Sequence, residues 1–125
     1  MATHKDLIVW KKSMNLVLLI YKITKSFPKD EVYGLVSQMR RAVISIPSNI
    51  AEGHARYSDK ELLRFLFISL GSASELETQL IIAYHLDYIQ EIDYKKIIEL
   101  NDEVRKMLVS LIRSKNNENI TNNLE

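Results

Sequence analysis

Residues 35–53 read Leu-Val-Ser-Gln-Met-Arg-Arg-Ala-Val-Ile-Ser-Ile-Pro-Ser-Asn-Ile-Ala-Glu-Gly. Leu35, Met39, Val43, Ile46 and Ile50 recur there at steps of three and four, the period of one helix face, and no strand-like alternation competes with it. Pro47 sits inside the pattern, where it removes one backbone donor and crowds the carbonyl of Val43. Because the apolar period continues through Ile50 and Ala51, the spacing predicts a kink at Pro47 rather than a break. The helix is expected from about Asp30 to Glu52, with Gly53 as its stop signal.

Working outward, the preceding segment predicts a helix from Asp6, a good N-cap, to a point before Pro28. Leu7, Trp10, Met14, Val17, Tyr21 and Thr24 form its expected buried stripe. Ile8, Leu18, Leu19 and Ile20 widen the apolar surface beyond what one bundle contact hides, so these four residues are expected to face another subunit. Downstream, Ser58-Asp59-Lys60-Glu61 has the capping-box pattern and opens a third helix to about Leu86, with Leu62, Leu66, Ala73, Leu76, Leu80 and Ala83 inward. Gly71 inside that helix suggests close approach of another backbone. Asp93 can cap a fourth helix with the stripe Tyr94, Ile97, Asn101, Val104, Leu108 and Leu111. Four amphipathic helices on short turns predict an all-α, antiparallel up-down four-helix bundle over residues 1–114, and the asparagine-rich segment 115–125 reads as a disordered polar tail.

Composition agrees with one globular domain. In 125 residues, 46% are hydrophobic and 26% charged, while three glycines and two prolines leave few places for turns. Cysteine is absent, which excludes disulfides and thiolate metal sites and fits a cytoplasmic location. The polar start and the short apolar runs predict no signal peptide and no membrane anchor. The formal net charge is only +1, yet residues 1–58 hold nine Lys/Arg against four Asp/Glu and the remainder eight against twelve. That asymmetry either marks a basic face or reflects two halves that neutralise each other within one bundle.

The chemistry-bearing patterns are few. His4, His54 and His85 have no partner at metal-ligand spacing, and the isolated Gly34, Gly53 and Gly71 build no phosphate-cradling loop. No nucleophile with a base is apparent, so neither a metal, a cofactor nor an enzymatic activity is expected. Gln38, Arg41, Ser45, Ser48 and Glu52 make a polar stripe on the second helix, and Ser72, Glu75 and Gln79 a matching one on the third. Either these stripes are solvated surface, or Gln38, Arg41, Glu52, Glu75 and Gln79 form a structural network centred on an Arg41–Glu75 pair. Lys11, Lys12, Lys22, Lys25, Arg40 and Arg56 are the candidate contacts to a phosphate backbone, with Tyr57 a candidate stacking ring.

Read in order, Asp6-Leu7-x-Val9-Trp10, Tyr21-x-x-Thr24-x-x-Phe27-Pro28, Tyr33-Gly34-Leu35-x-x-Gln38-x-Arg40-Arg41-Ala42 and Asn49-Ile50-Ala51-Glu52-Gly53 resemble a known four-helix-bundle family. It is the family of intervening-sequence proteins encoded within 23S ribosomal RNA genes, often labelled ribosomal proteins. Gly71-Ser72-x-x-Glu75-Leu76-Glu77-x-Gln79-Leu80 and Leu86-x-Tyr88 extend the resemblance, which covers about residues 4–114. The family includes the accessory variability protein of diversity-generating retroelements, a basic pentameric barrel that binds nucleic acid and a reverse transcriptase. The resemblance therefore implies a homopentamer, RNA or DNA as a ligand, and a nucleic-acid enzyme such as a reverse transcriptase as a partner. This chain departs from a strongly basic member, so its cations must be concentrated to hold a phosphate backbone.

Overall fold

In the computed structural model, which describes residues 2–124 with side chains through Glu118, four helices run in sequence. They are α1 (Ile8–Thr24), α2 (Leu35–His54), α3 (Asp59–His85) and α4 (Glu91–Leu124), with short 3₁₀ turns at His4–Asp6 and Lys29–Glu31. Each helix packs against two neighbours, α1 on α2 and α4, and α3 on α2 and α4, so that α1 and α3 are diagonal to each other. Cross-helix contacts fix the direction of every pair. Arg40 meets Thr24 while Leu7 and Ile50 share a hollow, Ser72 meets Ser45 while Gly53 meets Phe65, Asn101 meets Ala73 while Tyr94 stacks on Tyr84, and Lys12 meets Glu103 while Lys22 lies beside Asp93 and Lys96, an order consistent with antiparallel neighbours in an all-α up-down bundle.

The core follows the predicted stripes on α2, where Leu35, Met39, Val43, Ile46 and Ile50 are buried, and on α3, where Leu66, Ala73, Leu76, Leu80 and Ala83 are. Helix α2 continues unbroken through Pro47. Next to the proline the Ser69 hydroxyl donates to the Ile46 carbonyl at 2.9 Å, a cross-helix bond from α3, while the carbonyl that Pro47 leaves without its helical donor is that of Val43. Helix α3 has the length and mean hydropathy to cross a membrane; part of that apolar character is core packed against α2 and α4, while Phe67, Ile68, Ile81 and Ile82 stay exposed.

Several expectations need correction. On α1 the buried residues are Val9, Ser13, Leu16, Ile20 and Thr24, a stripe centred about one residue before the predicted one, of which Thr24 is buried and Leu7, Trp10, Val17 and Tyr21 pack part-buried against the core. Ser13 is the reason: its hydroxyl is satisfied by the Trp10 carbonyl at 2.8 Å, so a small polar residue can occupy the inward position. Ile20, expected at a subunit interface, is consequently a core residue, whereas Leu18 is 66% exposed. Helix α2 starts at Leu35 rather than near Asp30, because Gly34 takes a non-helical conformation. Gly53 is the penultimate residue of α2 and has no positive φ; it is a contact point with α3 rather than a left-handed cap. Gly71 has open space where a Cβ would stand, so no close approach explains it. The left-handed position at a helix end belongs instead to Asp87, after α3. Past residue 114 the described backbone of α4 continues to Leu124, and Lys115 pairs with Glu118 at 3.3 Å. Residue 125, the last of the expected tail, lies outside the described residues.

Candidate nucleic-acid interface

The end of α1, the turn after it and the outer face of α2 enclose a groove of about 830 Å³, a size typical of ligand sites. Its cations are Lys25, Lys29, Arg40 and Arg41, and no carboxylate lines it. Tyr21, Val32, Tyr33 and Ile44 supply its apolar surface, with Ser37, Ser45 and Ser48 between them.

Arg40 is held in place by α1. Its Nε donates to Thr24 Oγ1 at 3.0 Å, one Nη donates to the Tyr21 carbonyl at 3.3 Å, and the guanidinium lies 4.4 Å from the Tyr21 ring centroid. Thr24 is able to accept because its own hydroxyl donates to the Ile20 carbonyl at 2.7 Å. The turn beyond Pro28 is fixed by backbone bonds from Glu31 to Pro28, Val32 to Lys29 and Gly34 to Glu31, at 2.9–3.1 Å. Glu31 reaches toward the Leu35 amide at 3.5 Å, at the positive end of α2. Partial burial, and then the neighbouring Glu31 carboxylate, raise the Tyr88 phenol above its ordinary range; Tyr88 also packs on Phe27, with ring centroids 5.3 Å apart.

The structure divides the candidate phosphate contacts. Lys25 and Arg40 line the groove. Lys12 is paired with Glu103 at 2.8 Å, and Arg56 with Glu52 at 2.6 Å. Lys22 borders a smaller hollow between α1 and α4 that also contains Asp93, and Lys11 is exposed on α1 away from the groove lining. The network centred on Arg41 and Glu75 does not form. Glu75 accepts from Gln79 Nε2 at 3.2 Å, Glu52 is taken by Arg56, and Gln38 and Arg41 are exposed. The polar seam between α2 and α3 is built from smaller groups. Ser72 and Ser45 hydroxyls meet at 2.8 Å, and Asn49 Nδ2 donates to the Ser45 hydroxyl at 2.9 Å. With serines at the seam the helices approach too closely for a long arginine to lie between them, and Arg41 turns to the groove. Lys29 and Tyr33 were missed because both lie in a turn with no helical period to place them; a tyrosine beside glycine between two helices was the available signal.

Among the described residues, no group of three or more His, Asp or Glu side chains is placed to hold a metal ion. A family model for the 23S rRNA-intervening sequence protein matches residues 5–110, across all four helices. The chain belongs to this family. A crystal structure of a protein of unknown function from the S23 ribosomal protein family of Bacteroides thetaiotaomicron is similar to this intervening-sequence protein fold. It has a TM-score of 0.76 and 28% sequence identity, over 84% of this chain and 98% of that one. Comparison with curated proteins gives no match. Family membership accounts for the bundle, and the groove residues Tyr21, Thr24, Tyr33, Arg40 and Arg41 are among those that carry the resemblance.

Proposed function

We propose that this protein is a non-enzymatic, oligomeric binding module for RNA or DNA, and that the groove between α1 and α2 is its nucleic-acid site. One observation carries the reading: Lys25, Lys29, Arg40 and Arg41 share a groove without a lining carboxylate, and none has an ion-pair partner among the described residues. Elsewhere Lys12, Arg56, Arg64, Lys95, Arg105, Lys106 and Lys115 are each matched to a carboxylate, whereas Lys5, Lys11, Lys22, Lys60, Lys96 and Arg113 also carry no ion pair but lie outside the groove lining. The groove thus gathers four of the ten Lys/Arg that carry no ion pair among the described residues, the clustering that phosphate binding requires. Titration of a short labelled RNA, read by fluorescence anisotropy, tests the site. If all four cations meet phosphates, affinity falls roughly 50- to 150-fold between ~50 and ~200 mM salt. Absence of binding at low salt, or binding indifferent to salt, overturns the proposal.

Self-assembly is part of the same reading. Ile8 and Leu18 on α1, with Leu19 at their edge, and Phe67, Ile68 and Ile82 on α3 leave exposed apolar surface on diagonally opposed helices. Two different faces on opposite sides of a subunit suit a head-to-tail ring. The resemblance to the pentameric accessory variability protein supplies the number five. Such a ring multiplies the four groove cations by the number of subunits, which raises avidity for one strand. If assembly occurs without nucleic-acid binding, the protein is instead a structural self-assembling module.

A further inference from the structure

Tyr33 is 97% exposed and lines the cationic groove, yet it belongs to a turn that is not loose. The backbone bonds from Val32 to Lys29 and Gly34 to Glu31 bracket it, and Glu31 in turn sits at the start of α2. No other ring packs on it among the described residues, so both of its faces are open. A tyrosine held at a groove rim by a pinned turn, without a packing role of its own, is a platform awaiting a flat partner. In the same groove lining Arg40 is immobilised by Thr24 and Tyr21, while its second Nη has no protein acceptor among the described residues.

We infer that the groove takes an unpaired nucleic-acid strand, one base stacking on Tyr33 while the adjoining phosphates lie on Lys25, Lys29, Arg40 and Arg41; this rests on the nucleic-acid reading of the same groove. A duplex offers the same phosphates, but its base faces are hidden in its own stack, so it gains nothing from Tyr33. A single strand gains both terms. Tyr57 serves as the internal comparison: it is equally exposed, but it sits at the opposite end of the bundle beside Arg56, whose charge is matched by Glu52.

The test measures anisotropy of labelled oligo(dT) and of a mixed-sequence duplex of equal length against the full chain at low salt, with Tyr33→Ala, Tyr57→Ala and Tyr33→Trp. Because Tyr33 is exposed, circular dichroism of its variants is expected to match wild type. Tyr33→Ala weakens single-strand binding about tenfold, the scale of one lost base stack, and leaves duplex binding unchanged. Tyr57→Ala changes neither, and the fluorescence of Tyr33→Trp is quenched when oligo(dT) binds. If wild type and Tyr33→Ala bind oligo(dT) equally, the strand inference is overturned while salt-sensitive binding keeps the nucleic-acid reading. If neither oligo(dT) nor duplex binds wild type, the underlying reading fails and the inference with it.

Discussion

Gly53 on α2 lies so close to Phe65 on α3 that a Cβ at position 53 would stand 2.9 Å from the Phe65 Cβ. The same atom would be 3.3 Å from the Leu62 carbonyl oxygen, and neither neighbour is the far end of a flexible side chain. Gly53→Ala must therefore part the two helices, at a cost of about 1–3 kcal/mol for overpacking, against a gain of about 1 kcal/mol in helix propensity. Gly71→Ala meets nothing within 4 Å and keeps only the gain, about 0.5–1 kcal/mol. Urea unfolding is expected to separate the two variants in opposite directions from wild type.

Acid sensitivity is expected at α4. The hydrogen bond from Arg105 first, at 2.7 Å, and Lys106 next, at 3.1 Å, hold the Asp102 carboxyl below the usual aspartate range. A depressed folded-state pKa gives a contribution that is present above the unfolded-state value and lost as pH falls through the folded one. An NMR titration should find the Asp102 side-chain carboxyl titrating at lower pH in the native protein than in the urea-unfolded chain. Asp102→Asn should then flatten the acid limb of the stability curve; a native titration at or above the unfolded one contradicts this.

How far the sequence was legible follows from helix character. On α2 the apolar residues fill one narrow stripe, so Met39, Val43 and Ile46 could be placed in the core at once. On α1 Leu16 to Tyr21 is apolar all round, and periodicity alone could not choose between Leu18 and Ile20; the buried Ser13, an unlikely core residue by composition, set the rotation. The same limit governs the site. Arg40 was recognised as a cation, but its clamp on Thr24 and Tyr21 depends on how α1 and α2 cross, which no local spacing encodes. The matched stripes admit either solvated surface or an Arg41–Glu75 pair, because local spacing does not reveal that the Ser45–Ser72 contact closes the seam first.

The reassignment of Arg41 separates stability from binding. Exposed and without an ion pair among the described residues, it supports no neighbour, so thermal melts of Arg41→Ala should stay within about 0.5 kcal/mol of wild type. Its removal should still weaken nucleic-acid binding and lower the salt slope by about one unit, the signature of a lost phosphate contact. A large stability loss would instead place Arg41 in a structural pair.

The two exposed apolar faces give a test that distinguishes a head-to-tail ring from a symmetric pair. Light scattering at micromolar concentration should give a mass near five times the 14.5 kDa subunit. Leu18→Glu should reduce it to that of one subunit with helicity intact, because Leu18 is 66% exposed, whereas Ile20→Glu should unfold the subunit, because Ile20 is 0% exposed and the new charge would be buried without a partner. Phe67→Glu on α3 should dissociate the assembly as well, although it lies on the helix diagonal to α1. In a head-to-tail ring a Leu18→Glu subunit keeps a sound α3 face and a Phe67→Glu subunit keeps a sound α1 face. Mixing the two variants should therefore form one intact seam and stop there, giving the mass of two subunits from two monomeric parents. An interface in which α1 meets its own copy predicts otherwise: Phe67→Glu would assemble as wild type does, and the mixture would yield no new species.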